Sequence, residues 1–201
     1  IGGSYTALTQ WQAAQGSSRI ICAVPQVSYS NVYHNWVYTG GAFQLAFNTS
    51  WGLAAGARGH QRQWLWLPEE IGQTTLFRHL PLITIDEEAG RNIPHWKDWI
   101  AHPSYDDYWR GMDPIQNHYP DVDMAAYHMG GWFDVFLQGG LNNFMGMTKH
   151  GKTERARRGQ KLIIGPWIHS LGVRGTGSTN GDVDFGEAVL IDLELEQTRW
   201  Y

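Results

Sequence analysis

The chain reads as three successive patterns of apolar and polar positions. In the first, Ser4 to Gln15 place Leu8 and Trp11 near helical spacing, with two alanines following and Gly16 at the point where a helix stops. The run "RIICAVPQV" is short, apolar and rich in Ile and Val, which predicts a buried strand from Arg19 to Val24, ended before Pro25. The second pattern covers residues 35–118. Segments such as "WVYTGGAFQLAFNTSWGLAAG", "HQRQWLWLPEEIGQTTLFRHLPL" and "HWKDWIAHPSYDDYWRGMDP" read as amphipathic helices broken by Gly and Pro, without strand alternation. The third pattern returns to strand and helix. "DVDMAAYHMGG" predicts a strand ending in a glycine pair, "FDVFLQGGLNNFMGMTKH" a helix, and "TERARRGQ" a polar connection. "QKLIIGPW" then predicts a strand stopped at Gly165 and Pro166, and "FGEAVLIDLELEQTRWY" a helix to the end of the chain.

Alternating strands and helices predict an α/β fold with a parallel sheet. The predicted organisation is a core part at 1–34, a helical cap at 35–118 and a second core part at 119–201. No internal repeat is evident.

Composition narrows the classes. The chain has 201 residues, 42% of them hydrophobic, which suits one domain with a real core. The formal net charge is -4 and the single basic cluster is "ERARR", so nucleic acid is not an expected partner. Residues Glu154 to Arg158 read as a solvated loop or helix face. Cys22 is the sole cysteine, which excludes an internal disulfide and a cysteine-based metal site. Nine histidines are present without a His-Glu-x-x-His pattern, so zinc hydrolysis is a poor fit, and no metal or organic cofactor is expected. No apolar run approaches the ~20 residues that span a membrane. Localisation and homo-oligomerisation are left open. Many of the 11 Trp, 9 Tyr and 7 Phe crowd into residues 29–133, as core, ligand pocket or interface, with core favoured.

Three loops carry candidate chemistry, because functional groups in open α/β sheets gather at the carboxyl ends of strands. In "GGSY", Ser4 sits between small residues and a helix, as a serine on a sharp strand-to-helix turn does. The helix would point its free N–H groups, Tyr5 first, at a reacting carbonyl oxygen. The bland reading is a plain helix cap. Asp134 in "GGWFD" stands at a strand-to-helix junction, where a cap is again the commoner explanation. His169 in "GPWIH" follows an apolar strand, and a lone histidine there is more often structural. Together they fall in the order Ser, Asp, His, the chain order of α/β-hydrolase triads.

With "GGSYTALTQWQAA", "GGWFDVF" and "LIIGPWIHS" in that order, the chain resembles the cocaine-esterase and Xaa-Pro dipeptidyl-peptidase family of serine hydrolases, which includes α-amino-acid ester hydrolases and glutaryl-cephalosporin acylases. The resemblance implies a partial α/β-hydrolase fold with a helical cap. It implies Ser4 as nucleophile, Asp134 as acid, His169 as base and the Tyr5 backbone N–H in the oxyanion hole. It implies a small ester, amide or short peptide as substrate, Trp167 at the substrate, and Asp106 or Asp107 of "HPSYDDYWRGMDP" as partner of a substrate ammonium group. The bland reading of those two carboxylates is a surface charge or a partner of Arg110. Ala7 stands where the family has a second glycine of the elbow. The family's strands before the elbow, with a tyrosine that completes the oxyanion hole, and its C-terminal β-sandwich have no counterpart here, so the chain is expected to be an internal piece of such a hydrolase. Xaa-Pro dipeptidyl-peptidase activity and a non-catalytic protein of the same fold remain as alternatives.

Overall fold

The computed structural model describes residues 1–55, 76–112, 115–169 and 177–201 (without the side chain at 54). The chain divides into two compact units, one of Ile1–Trp36 with Met112–Tyr201, the other of Val37–Gly111.

The first unit is built on a parallel sheet that is five-stranded among the described residues. Strand β1 is the dipeptide Gly2–Gly3, followed by helix α1 (Tyr5–Ala14). The strand expected at 19–24 is shorter, β2 (Cys22–Ala23), and stops before the proline as expected, while a second strand, β3 (Pro25–Gln26), starts on Pro25. Pro25 is tolerated because the ladder to β1 does not use its nitrogen. Gly2 N donates to Val24 O (3.4 Å) and Ser4 N to Gln26 O (3.0 Å), so the acceptors lie on either side of Pro25.

In the second unit, β4 (Tyr38–Thr39) and β5 (Ala42–Phe43) pair as a hairpin, against the expectation of helices alone. Gly40 and Gly41, at φ 60° and 83°, supply the two positive-φ positions of its tight turn. Helices α2 (Leu45–Ala55), α3 (Ile85–Glu88), α4 (Trp96–Ala101) and α5 (Asp107–Arg110) follow. Leu53, Leu76, Ile85, Ile93 and Trp96 form the core of this unit. The aromatic segment at 60–73 lies outside the described residues.

Back in the first unit come β6 (Ala125–Phe133), α6 (Leu137–His150), α7 (Glu154–Arg158) and β7 (Gln160–Ile168), then a small hairpin of β8 (Thr179–Asn180) and β9 (Val183–Asp184), and α8 (Leu193–Trp200). Of the two readings of 154–158, loop or helix face, the structure shows the helix. Thr153 caps it by accepting from Ala156 N, and Glu154 sits in its first turn. The final helix is confined to the last eight positions before Tyr201, because the Asp192 side chain caps Leu195 N and starts it there.

Strand β6 pairs in parallel with β2 and β3 on one side and β7 on the other. Its near-continuous apolar sequence follows from burial on both faces. Met124 and Ala126 pack with Trp11, Met147 and Ala156, whereas Tyr127 and Met129 pack with Val24, Trp167 and Leu193. Both strands run past their predicted stops. Gly131 and Gly165 lie within the β6–β7 ladder, which is irregular between Gly131 and Phe133. A Cβ on Gly131 would stand against the Trp167 carbonyl, so glycine here permits the close approach of the two strands.

Helix α6 reaches the loop after β3 equally closely. A Cβ on Gly139 would lie 2.5 Å from Tyr29 Cα and 2.7 Å from Ser30 N, both rigid backbone atoms. That loop is held by buried Asn35, whose Oδ1 accepts from Ser30 Oγ (2.6 Å), Ser30 N (3.3 Å) and Asn31 N (3.1 Å). The loop cannot yield without breaking these bonds. Gly139→Ala is expected to destabilise the protein by about 1–3 kcal/mol, although alanine is the better helix former. Chemical denaturation of the two forms measures the difference.

Candidate active site

Ser4 occupies the junction of β1 and α1 with φ 57° and ψ -124°, outside the regions a non-glycine residue ordinarily adopts. Its conformation is forced from both sides. Ser4 N is tied to Gln26 O in the sheet, while Ser4 O accepts from Ala7 N (2.9 Å) and Leu8 N (3.2 Å) at the start of the helix. The chain turns within one residue, and the turn leaves the side chain at its apex. Gly2 is required beside it, since a Cβ there would press on Thr6 Oγ1 at 2.5 Å. Ala7 is fully buried, so its methyl group is accommodated in the helix–sheet contact. Strain at Ser4 has a measurable consequence. Ser4→Gly is expected to be more stable than Ser4→Ala by about 1–2 kcal/mol, because only glycine adopts this backbone without cost. Thermal unfolding of the two variants compares them directly.

Asp134 and His169 come together through the sheet register. Phe133 pairs with Ile168 at the carboxyl ends of β6 and β7, and the next residue of each strand is the functional one. Asp134 also starts the turn into α6, its carbonyl accepting from Leu137 N (3.1 Å). Its Oδ1 accepts from Phe136 N at 3.1 Å and from His169 Nδ1 at 2.7 Å. His169 Nε2 lies 2.9 Å from Ser4 Oγ. A carboxylate only accepts, so His169 Nδ1 carries the proton and Nε2 faces the serine as an acceptor. The Asp134 side chain is wholly buried and that of His169 is one-third exposed, at 0% and 33%. Phe136 stands edge-on to the imidazole, ring centroids 5.0 Å apart, and packs in turn on Tyr29 and Trp36. This arrangement allows a proton to pass from Ser4 Oγ to His169 while the buried carboxylate stabilises the imidazolium that forms.

The other residues singled out in the sequence are placed differently. Tyr5 is the first residue of α1, with its phenol ring exposed. Trp167, expected at the substrate, has its ring 5% exposed in the core with Val24, Met129 and Leu193, and its Nε1 donates to Val189 O (3.3 Å). It faces inward because it alternates with Ile168 along β7. In the second unit, Asp106 caps α5 by accepting from Tyr108 N, and its carboxylate lies 2.6 Å from His102 Nδ1. The hydrogen bond from His102 holds the Asp106 carboxyl below its ordinary pKa. Asp107 is bound by Arg110 at 2.6 Å and its side chain is 96% exposed. Among the described residues no cluster of His, Cys, Asp or Glu could hold a metal ion, and no helix is long and apolar enough to cross a membrane. Phe136, Gly131 and Gly139 were not predicted to shape the site. The glycines were visible in the sequence, but their function is a distance between backbones that only the fold defines.

The model of the X-Pro dipeptidyl-peptidase family (S15 family) matches residues 1–171. The chain belongs to this family. Its fold is that of a partial α/β hydrolase, and the structure of an aminopeptidase from the marine sediment archaeon Thaumarchaeota archaeon is similar to it, with a TM-score of 0.71 at 18% identity. That similarity covers 92% of this chain and 31% of the aminopeptidase, so the chain spans about a third of that protein's length. No curated protein matches the sequence.

Proposed function

We propose that this chain carries the catalytic triad of a serine hydrolase that cleaves an ester or amide bond through an acyl-enzyme. The observation that carries the reading is the imidazole of His169, at 2.9 Å from Ser4 Oγ on one side and 2.7 Å from Asp134 on the other. Ser4 Oγ attacks the acyl carbonyl as its proton passes to His169 Nε2. The free N–H groups at the start of α1, that of Tyr5 foremost, face the oxyanion. His169 then protonates the leaving alcohol or amine, and a water deprotonated by the same nitrogen releases the acid. Asp134 holds the tautomer and the charge of the imidazolium through both steps. A fluorophosphonate probe tests this on the full-length protein. It is expected to modify Ser4 and to leave Ser4→Ala unmodified, and a wild-type protein that does not react sinks the reading.

A peptide substrate with proline at its second position is a narrower version of the same reading, favoured by the family match over residues 1–171. Xaa-Pro-p-nitroanilide and p-nitrophenyl acetate, compared by kcat/KM, decide between a dipeptidyl-peptidase and a plain esterase. Both cap carboxylates are engaged within their own unit, Asp106 by His102 and Tyr108 N and Asp107 by Arg110, and Asp106, the less exposed of the two, is carried forward as the candidate partner of a substrate ammonium. Asp106→Asn is expected to lower kcat/KM for an α-amino ester about tenfold or more relative to its des-amino analogue. Equal losses on both substrates leave Asp106 a surface cap.

A further inference from the structure

The second oxygen of the Asp134 carboxylate does not take part in the contacts described above. Oδ2 is buried and receives no hydrogen bond from the described residues, while Oδ1 receives two. An ionised oxygen held without a donor in a dry interior is costly, and native structures satisfy such atoms with a side chain, a backbone N–H or an enclosed water. Asp134 borders a cavity of about 10 Å³ beneath α6, lined also by Ser28, Met129, Phe136 and Gly140. About 10–15 Å³ is the space one water needs. The cavity has a second acceptor in its wall, because no hydrogen bond from the described residues reaches the carbonyl of Ser28. The Ser28 hydroxyl is already engaged, accepting from Trp11 Nε1 (3.2 Å) and donating to Tyr29 O (3.2 Å).

Gly140 closes the other side. A Cβ built on it meets, beyond its own helix, only Ser28 O at 3.8 Å, an ordinary contact distance. Its neighbour Gly139 is glycine because backbone occupies the Cβ position, but Gly140 has space at that position. Glycine inside a helix costs about 1 kcal/mol relative to alanine. Helix packing therefore does not call for glycine at 140, whereas a solvent molecule in the cavity does.

We propose that this cavity seats one structural water that donates to Asp134 Oδ2 and to Ser28 O, and that Gly140 is a positioning residue which leaves room for it. The inference rests on the triad reading of Asp134. The water completes the hydrogen bonding of the carboxylate, fixes its plane, and so aims Oδ1 at His169 Nδ1. The site is specific for a small neutral donor, since a cation of side-chain size does not fit and an anion is repelled.

Two variants separate this function from simple packing. Gly140→Ala puts a methyl group on the Ser28 side of the cavity, 3.8 Å from Ser28 O, where it crowds the water. Its unfolding temperature is expected to change little or to fall slightly, the better helix former offsetting part of the lost bond, while fluorophosphonate labelling of Ser4 slows about tenfold to a hundredfold, the loss of a hydrogen bond to a charged group. Gly140→Ser places a hydroxyl donor beside Asp134 and is expected to recover most of that rate. A Gly140→Ala protein that folds and labels at the wild-type rate overturns the proposal, as does an equal loss in both variants. A high-resolution crystal structure of the wild type supplies the check independent of either variant. Water density within about 3.2 Å of Asp134 Oδ2 is expected, and its absence overturns the proposal. If the wild type fails to label at all, the triad reading fails, and the density still decides the water.

Discussion

Asp134→Asn is expected to lower the rate of Ser4 acylation about ten-thousand-fold while leaving the fold intact. The amide has the size of the carboxylate, and the carbonyl of residue 134 still accepts from Leu137 N, so the turn into α6 is preserved. What changes is the proton on His169. With a carboxylate at 2.7 Å, Nδ1 must donate and Nε2 must accept. An asparagine nitrogen turned toward the ring gives up the bond from Phe136 N and donates to Nδ1 instead, which drives the proton onto Nε2 and leaves nothing to receive the Ser4 proton. The buried negative charge is also lost, so an imidazolium at this position is no longer compensated. The wild-type side chain is fully shielded from water, and no solvent charge replaces it. Labelling of Ser4 by a fluorophosphonate, measured as a second-order rate for each form, gives the ratio. A variant that labels within tenfold of the wild type removes Asp134 from the mechanism. Ser4→Ala is the companion control, because it abolishes labelling without touching the His169–Asp134 pair.

The chain order and the spacing of the three loops carried most of the site in one dimension. Ser4 after Gly2 and Gly3, Asp134 after a predicted strand and His169 after another are patterns of sequence, and their convergence follows from a parallel sheet whose strands end together. Several errors of the sequence reading share one cause. Gly131, Gly165 and Pro166 were taken as stops, but each lies inside a strand, and Pro25, also taken as a stop, opens a second strand. Local rules treat glycine and proline as breakers because they describe an isolated chain. Within this sheet, Pro25 occupies a register that asks nothing of its nitrogen, and Gly131 yields space to the Trp167 carbonyl. The β4–β5 hairpin escaped for the opposite reason. Its strands are two residues each, too short for alternation to show, and only the Gly40–Gly41 pair marks the turn. Trp167 shows a further limit. The resemblance implied a substrate contact, but the period of two along a strand sends neighbouring side chains to opposite faces, and the ring lies in the core.

Acidification is expected to weaken the fold through His128, a residue on β6 below the site. The ring is buried and lies between Trp11 and Phe144, at centroid distances of 5.5 Å and 5.7 Å. Its Nε2 is 2.8 Å from Gln160 Oε1. The amide of Gln160 is oriented by its nitrogen, which donates to Met124 O (3.0 Å) and Ala156 O (2.5 Å), so its oxygen faces the imidazole and Nε2 carries the proton. The neutral tautomer therefore satisfies its hydrogen bond, and a second proton has no anionic partner. Burial holds the pKa of His128 down, from 6.5 to about 4. The unfolded chain takes up the proton first as the pH falls, so the stability associated with neutral His128 is fully present above about 6.5 and is lost progressively between 6.5 and 4. The displacement corresponds to roughly 3 kcal/mol at its full extent. His128→Gln keeps a hydrogen-bonding amide and removes the titration, at some cost in packing. Urea unfolding of both forms at pH 7 and pH 4 isolates the effect, since every other titrating group cancels in the difference. The wild type is expected to lose about 3 kcal/mol more than the variant over that interval. A difference between the two that stays constant with pH places His128 outside the acid response.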